Sequence, residues 1–267
     1  SHGSFTWYYP NGEIETKGQY VNDERHGQWT SYHSNRKVQS EKTYNFGDLQ
    51  GAYTTYFEDG SVRTNSNYVE GYLEGTYKRY FYNQKLREES HYKRGDMHGI
   101  RKSFVPTGEL AIVRYYIDDV LVSYSYTDSN GELTEPENLG TSSQTITAYF
   151  QNKKPSVTFT VEKDKLLDDF IWYYPDGSIF RKSSYANGVV TGEMTAFFPN
   201  GNKIYVYPHK YGEYHGACSD YYENGKLKQQ LSYYCGEQEG KSTYFDVTGK
   251  LLKTVYHFDN SIYFEKP

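Results

Sequence analysis

Trp7-Tyr8-Tyr9-Pro10-Asn11-Gly12-Glu13-Ile14 opens a pattern that returns later in the chain as Trp172-Tyr173-Tyr174-Pro175-Asp176-Gly177-Ser178-Ile179. An aromatic run meets Pro, then Asn or Asp, then Gly, and an aliphatic residue follows. Glu58-Asp59-Gly60 and Pro199-Asn200-Gly201 repeat the break between similar runs. Pro presets φ, Asn or Asp suits the next turn position, and Gly supplies φ > 0. Three loop residues of this kind predict a type I turn closed by a G1 bulge, and hence a β-hairpin.

The hairpin is a repeat. Gly3, Gly27, Gly51, Gly75 and Gly99 stand 24 residues apart, and Gln144, Asp168, Gly192, Gly216 and Gly240 keep the same step in a second ladder. Counting each of these as position 1, position 6 is aromatic in all ten copies, from Tyr8 to Phe245. Position 12 is aliphatic in most (Ile14, Val38, Val62, Leu86, Leu110, Ile179, Leu227, Leu251), and position 18 is mostly Tyr. Apolar residues show no helical spacing, and Gly interrupts any helix about every twelve residues. The fold class is therefore all-β: an elongated, single-layer antiparallel sheet of about ten tandem 24-residue β-hairpin repeats, with about twenty short strands. The bulge register sets position 6 opposite position 12 and position 3 opposite about position 15. Simple alternation then places positions 6, 12 and 18 on one face, with positions 3, 5 and 7 on the other.

Composition agrees with such a sheet. The 267 residues are only 36% hydrophobic but 18% aromatic, with 32 Tyr. Stacked rings then stand in for an aliphatic core, each pair adding about 0.5–1.5 kcal/mol beyond area burial. The net charge of −5 is too small, with too many aromatics, for a disordered chain. It also lacks the electrostatic footprint of a nucleic-acid partner or an anionic membrane surface. No apolar run is long enough to span a membrane, and the N-terminal residues carry no signal-peptide pattern. The compartment, cytoplasm or cell envelope and periplasm, is left open.

Three segments follow: a first array at 1–122, an interruption at 123–143 and a second array at 144–267. The interruption carries Asp128, Glu132, Glu135 and Glu137 with no basic residue. Asn130-Gly131-Glu132-Leu133 still reads as a worn hairpin turn, so the segment is either a flexible hinge or an ordered insertion.

Gly27-Gln28-Trp29-Thr30-Ser31-Tyr32, Tyr221-Tyr222-Glu223-Asn224-Gly225-Lys226-Leu227, and the pairs His26-Gly27, His98-Gly99 and His215-Gly216 resemble MORN repeats. They are most similar to the bacterial variant form found in YwqK-type antitoxin proteins. The resemblance implies an extended, non-catalytic hairpin sheet that binds a protein partner in a scaffold, antitoxin or immunity role. The sequence departs from the pattern at Gln144 and Asp168, which lack the leading Gly, and at Pro155 and Lys203, which lose the aliphatic position; local distortion is expected there.

Candidate chemistry is sparse. Cys218 and Cys235 fall too far apart along the hairpin for a disulfide. His26, His98 and His215 share one repeat position but lie far apart along a ribbon, too far to share a metal; His209 and His215 flank one loop. Nucleophile, phosphate-loop and zinc-hydrolase motifs are absent. The chain reads as a non-enzyme with no cofactor and no metal. The sharpest candidates are aromatic: Phe5, Trp7, Tyr9, Trp29, Tyr53, Phe57, Tyr77 and Phe81 in the first array, and Phe170, Trp172, Tyr174, Phe198 and Tyr222 in the second. A one-layer sheet cannot bury both faces, and exposed Trp and Tyr mark recognition surfaces. The expected partner-binding set is Trp7, Tyr9, Trp29, Tyr53, Phe57, Tyr77, Phe81, Trp172 and Tyr174, facing an unidentified protein. The alternative is a cell-wall or carbohydrate-binding module, because the Trp-Tyr-Tyr…Gly stretches resemble choline-binding wall repeats; lipid binding ranks below both. Open edge strands also allow an end-to-end homo-oligomer.

Overall fold

The computed structural model describes residues 1–163, 165–258 and 261–266. Every described regular element is a strand. A 14-stranded sheet runs from Gly3–Tyr8 to Glu137–Asn138, and a 13-stranded sheet from Gln144–Tyr149 to Ser261–Lys266. Both are antiparallel meanders in chain order, with the two-residue strands Asp48–Leu49, Tyr72–Leu73, Glu213–Tyr214 and Glu237–Gln238 pairing off the main path. The chain divides into two compact parts: Ser1–Ser125 with Glu135–Leu139, and Tyr126–Thr134 with Gly140–Pro267.

The loop is the one its residues predict. In the first repeat the Gly12 N–H donates to the Tyr9 carbonyl at 2.9 Å, the Tyr9 N–H donates to the Glu13 carbonyl at 2.8 Å, and Gly12 has φ +85°. The same pair of bonds closes the Tyr174–Ser178 and Tyr222–Lys226 loops. Position 6 consequently faces position 12 throughout, from Tyr8↔Ile14 and Tyr56↔Val62 to Phe245↔Leu251. Pro155 and Lys203 hold this register too, opposite Tyr149 and Phe197, so the expected distortion of those repeats is absent. The pairing is made by backbone and loop, and position 12 contributes only its side chain. Asp168 takes the place of the leading glycine at φ +55°, a left-handed conformation that Asp tolerates better than most residues.

A second irregularity overturns the simple face assignment. Next to Tyr8↔Ile14 the ladder continues as Trp7↔Thr16, so Glu15 is an extra residue, and the same shift follows position 6 in every repeat shown. One inserted residue inverts the alternation beyond it. Position 18 therefore joins positions 1, 3 and 5, through Gly3↔Tyr20 and Phe5↔Gly18, rather than position 6. Position 3 faces position 16, not 15, as in Cys218↔Leu231.

Neighbouring repeats are joined by two-residue turns whose central residues both have φ > 0, such as Asn22-Asp23, Arg94-Gly95 and Cys235-Gly236. These are the primed turns that match strand twist. Side chains at the three-residue loops tie each repeat to the next. The amides of Asn35, Asn83, Asn152 and Asn224 donate to the carbonyls of Glu58, Pro106, Pro175 and Val247 at 2.7, 2.9, 2.8 and 2.9 Å. The ammonium groups of Lys37, Lys154 and Lys226 reach the next loop's carbonyls at Asp59, Asp176 and Thr248.

Within the interruption, Glu137–Asn138 pairs with Val120–Ser125 in the first part. In the second part Thr127 bridges Leu133, and Gly131 N–H donates to the Asp128 carbonyl at 3.2 Å. The turn read at Asn130-Gly131 is thus formed. The second array's boundary at Pro267 lies outside the described residues.

Candidate interaction surface

The face holding positions 3, 5 and 18 gathers the rings. Within a repeat, position 3 meets position 18: Phe5–Tyr20 at 5.0 Å, Trp29–Tyr44 at 6.0 Å, Tyr53–Tyr68 at 5.9 Å, Tyr77–Tyr92 at 6.1 Å and Phe170–Tyr185 at 6.2 Å between centroids. The bulge makes this possible, since without it the Tyr at position 18 would point to the other side.

The expected partner-binding residues divide by exposure. Trp29 is 2% exposed, caged by Trp7, Tyr20, Tyr44 and the Arg25 guanidinium at 4.6 Å. Its ring lies on the bare backbone of Gly18, where a Cβ would sit 2.3 Å from the indole. Trp172 is 5% exposed, stacked on Phe170 at 5.2 Å and capped by Arg181 at 5.1 Å. Tyr174 is 3% exposed against Phe180. These three side chains are core.

Position 7 has a structural task that the sequence pattern does not separate from recognition. The Tyr9, Tyr174 and Tyr222 hydroxyls donate to the next repeat's position-6 carbonyls, those of Tyr32, Phe197 and Phe245, at 2.6, 2.9 and 2.8 Å. Burial, then Asp176, pushes the Tyr174 hydroxyl up to about 12.

Accessible rings remain on the same face. Trp7 is 39% exposed at the start of the first sheet. Tyr53, Phe57, Tyr77 and Phe81 are half-buried and lie in consecutive repeats. Lys42 sits 5.3 Å from the Tyr53 ring, Tyr82 5.2 Å from Phe57, and Arg87 5.5 Å from Phe81. Further along, the Arg101 guanidinium donates to Glu88 at 2.7 Å and the Ser90 hydroxyl donates to it at 2.8 Å. Burial works to raise the Glu88 carboxyl, but Arg101, Ser90 and Arg114 outweigh it and hold it below the usual carboxylate range.

The repeat pattern does not single out the most exposed rings. Tyr211 is 83% exposed in a two-residue turn, and Tyr82 and Tyr234 are also well exposed. Turn residues vary between repeats, so periodicity carries no signal for them. The histidines part company: His26 stacks on Phe46 at 4.6 Å, His98 pairs with Asp118 at 2.9 Å, His209 lies against Tyr214 at 4.9 Å and His215 against Tyr234 at 5.2 Å. Among the described residues no group of three or more His, Cys, Asp or Glu is placed to hold a metal ion. Both cysteines are free thiols, Cys218 buried and Cys235 exposed. No helix among the described residues is long and apolar enough to cross a membrane.

The family model described as MORN repeat variant matches residues 1–22, 25–45, 73–94, 169–187 and 214–233. Each matched stretch holds a three-residue loop and the strands flanking it, so the similarity falls on five of the hairpin repeats. No curated protein matches the chain. Among solved structures, TcdB2-TccC3 is similar at 11% identity, over 97% of this chain and 14% of that one, with a TM-score of 0.21. A Tc holotoxin pore of Photorhabdus luminescens carrying a TccC3 mutation is similar at 10% identity, over 95% and 17%, with a TM-score of 0.17. The chain spans less than a fifth of either molecule, and likeness at that level carries nothing about function.

Proposed function

We propose that this chain is a non-catalytic MORN-type repeat module that binds a protein partner, in the antitoxin, immunity or scaffold sense, through the ring-bearing face of its first sheet. The observation that carries the reading is the set of half-buried rings at Tyr53, Phe57, Tyr77 and Phe81, held by one strand ladder. Tyr on a preorganised surface loses little conformational freedom on binding and is favoured at hot spots. The matched repeats support it, since such arrays present extended surfaces to partners.

The test is capture on the immobilised chain, wild type beside Tyr53→Ala/Tyr77→Ala, with a denaturation curve for each. A protein retained by the wild type and lost from a still-folded variant supports the reading. Unchanged capture removes this surface, and retention of glycan alone moves the chain to the carbohydrate-binding alternative.

A further inference from the structure

Charge is sorted between the two faces of the first sheet. Residues directly opposite one another across a ladder share a face. The pairings Thr64↔Arg79, Arg79↔Glu88, Ser90↔Arg101 and Arg101↔Arg114 therefore put three arginines on one face, the face of Tyr53↔Ser66 and Tyr77↔Ser90, with Arg114 buried. Arg79, Arg63 and Arg87 all act on the Tyr77 hydroxyl, opposing the burial that raises it. In that stretch the one carboxylate on this face among the described residues, Glu88, is committed to Arg101 at 2.7 Å. Neither Arg63 nor Arg79 has a carboxylate within 4.0 Å among the described residues.

The opposite face is balanced. The adjoining pairs Asn65↔Lys78, Lys78↔Glu89 and Glu89↔Lys102 alternate in sign, with Lys78 and Glu89 at 3.3 Å. The first array as a whole holds 15 basic and 16 acidic residues, which conceals the asymmetry. Nine of its acids lie in turns or loops, among them Asp59, Glu70, Glu74 and Asp118.

We propose that this arginine–tyrosine face binds an acidic segment of the partner protein; the proposal rests on the protein-binding reading and names its partner's chemistry. A guanidinium grips a carboxylate with two parallel hydrogen bonds, and the flanking rings supply the apolar contact that a point charge lacks. Arg and Tyr are also the residues that concentrate binding energy at interfaces. A nucleic acid fits less well, because a chain of net charge −5 repels a long phosphate backbone, whereas a short acidic segment meets only the local field.

The experiment is fluorescence anisotropy of labelled octaglutamate with the full chain, at low salt and at roughly physiological salt. The variants are Arg63→Gln/Arg79→Gln and, as a control of equal charge, Lys17→Gln/Lys102→Gln on the opposite face. The wild type and control bind the peptide, while the arginine variant binds about tenfold more weakly. Should the double variant fail to unfold cooperatively, the exposed Arg63→Gln alone serves, with a smaller loss in the same direction. Equal loss in arginine and lysine variants, no binding by the wild type, or tighter binding of an oligouridylate of equal charge overturns the proposal. A partner still captured through Tyr53 and Tyr77 while octaglutamate is ignored removes the acidic chemistry and leaves the protein-binding reading standing; failure of both removes both.

Discussion

The Tyr174 hydroxyl donates to the Phe197 carbonyl at 2.9 Å, so a residue whose Trp-Tyr-Tyr context suggests recognition instead ties one repeat to the next. The same bond recurs at Tyr9 and Tyr222. In a repeat array stability is largely a nearest-neighbour sum, so such ties set cooperativity.

Tyr174→Phe keeps the ring against Phe180 and removes only the bond, leaving a shielded carbonyl; denaturant unfolding should show a loss of about 1 kcal/mol. The wild type should also weaken in alkali. The folded-state hydroxyl ionises at about 12 against 10.0 for a free tyrosine. Between those values the unfolded chain has already lost the proton that the folded chain keeps, so stability is whole below pH 10 and falls as pH rises towards 12. A stability–pH curve for Tyr174→Phe should descend less steeply over that window.

Gly18→Ala tests the cage of Trp29. The new Cβ would lie 2.3 Å from a ring that Trp7, Tyr20, Tyr44 and Arg25 already hem in. Overpacking of this sort costs about 1–3 kcal/mol. The midpoint of denaturation should drop and the tryptophan emission shift; an unchanged midpoint would show that the indole moves aside freely.

Glu88→Gln removes the charge that offsets Arg101 beside Arg114. The side chains of Glu88 and Arg101 are 13% and 28% exposed, so solvent screens the resulting repulsion only in part. A loss of about 2 kcal/mol is expected, below that of a fully buried pair. Since the folded-state carboxyl is held low, its contribution is complete above the ordinary Glu value of 4.5 and is lost as pH falls below it. Acid titration of wild type and variant should converge.

Gln84→Gly should stabilise. Gln84 has φ +63° at the loop position where other repeats carry Gly12 or Gly60. An L-residue there bears about 1–2 kcal/mol of strain, against roughly 0.5–1 kcal/mol of extra chain entropy for glycine. Thermal unfolding should rise by a few degrees at most, and a fall would show that the Gln84 side chain contributes more than its backbone costs.

Much of this molecule is legible in the chain. The repeat step, the three-residue loop and the opposition of Tyr8 to Ile14 are local consequences of Pro, Asn and Gly placed between aromatic runs, and the structure keeps all three. The face of Tyr20 cannot be read in this way. It depends on the inserted Glu15, an ordinary residue whose bulge is set by how two strands settle against each other after the loop closes. Exposure is equally hidden: Trp7 and Trp29 lie 5.5 Å apart and each meets three rings, yet only Trp29 also has the Arg25 guanidinium over it and a glycine beneath it. Local backbone preference and period are enough to dictate that the chain forms hairpins and how many residues each takes; rings fill only part of the core, since Val105, Ile112, Val113, Val157 and Val161 are fully buried as well. Which rings become core, which face the arginines share and how Tyr9 and Tyr174 clamp their neighbours emerge only once the strands are assembled, because a single extra residue reverses a face and burial depends on what the adjoining strands bring alongside.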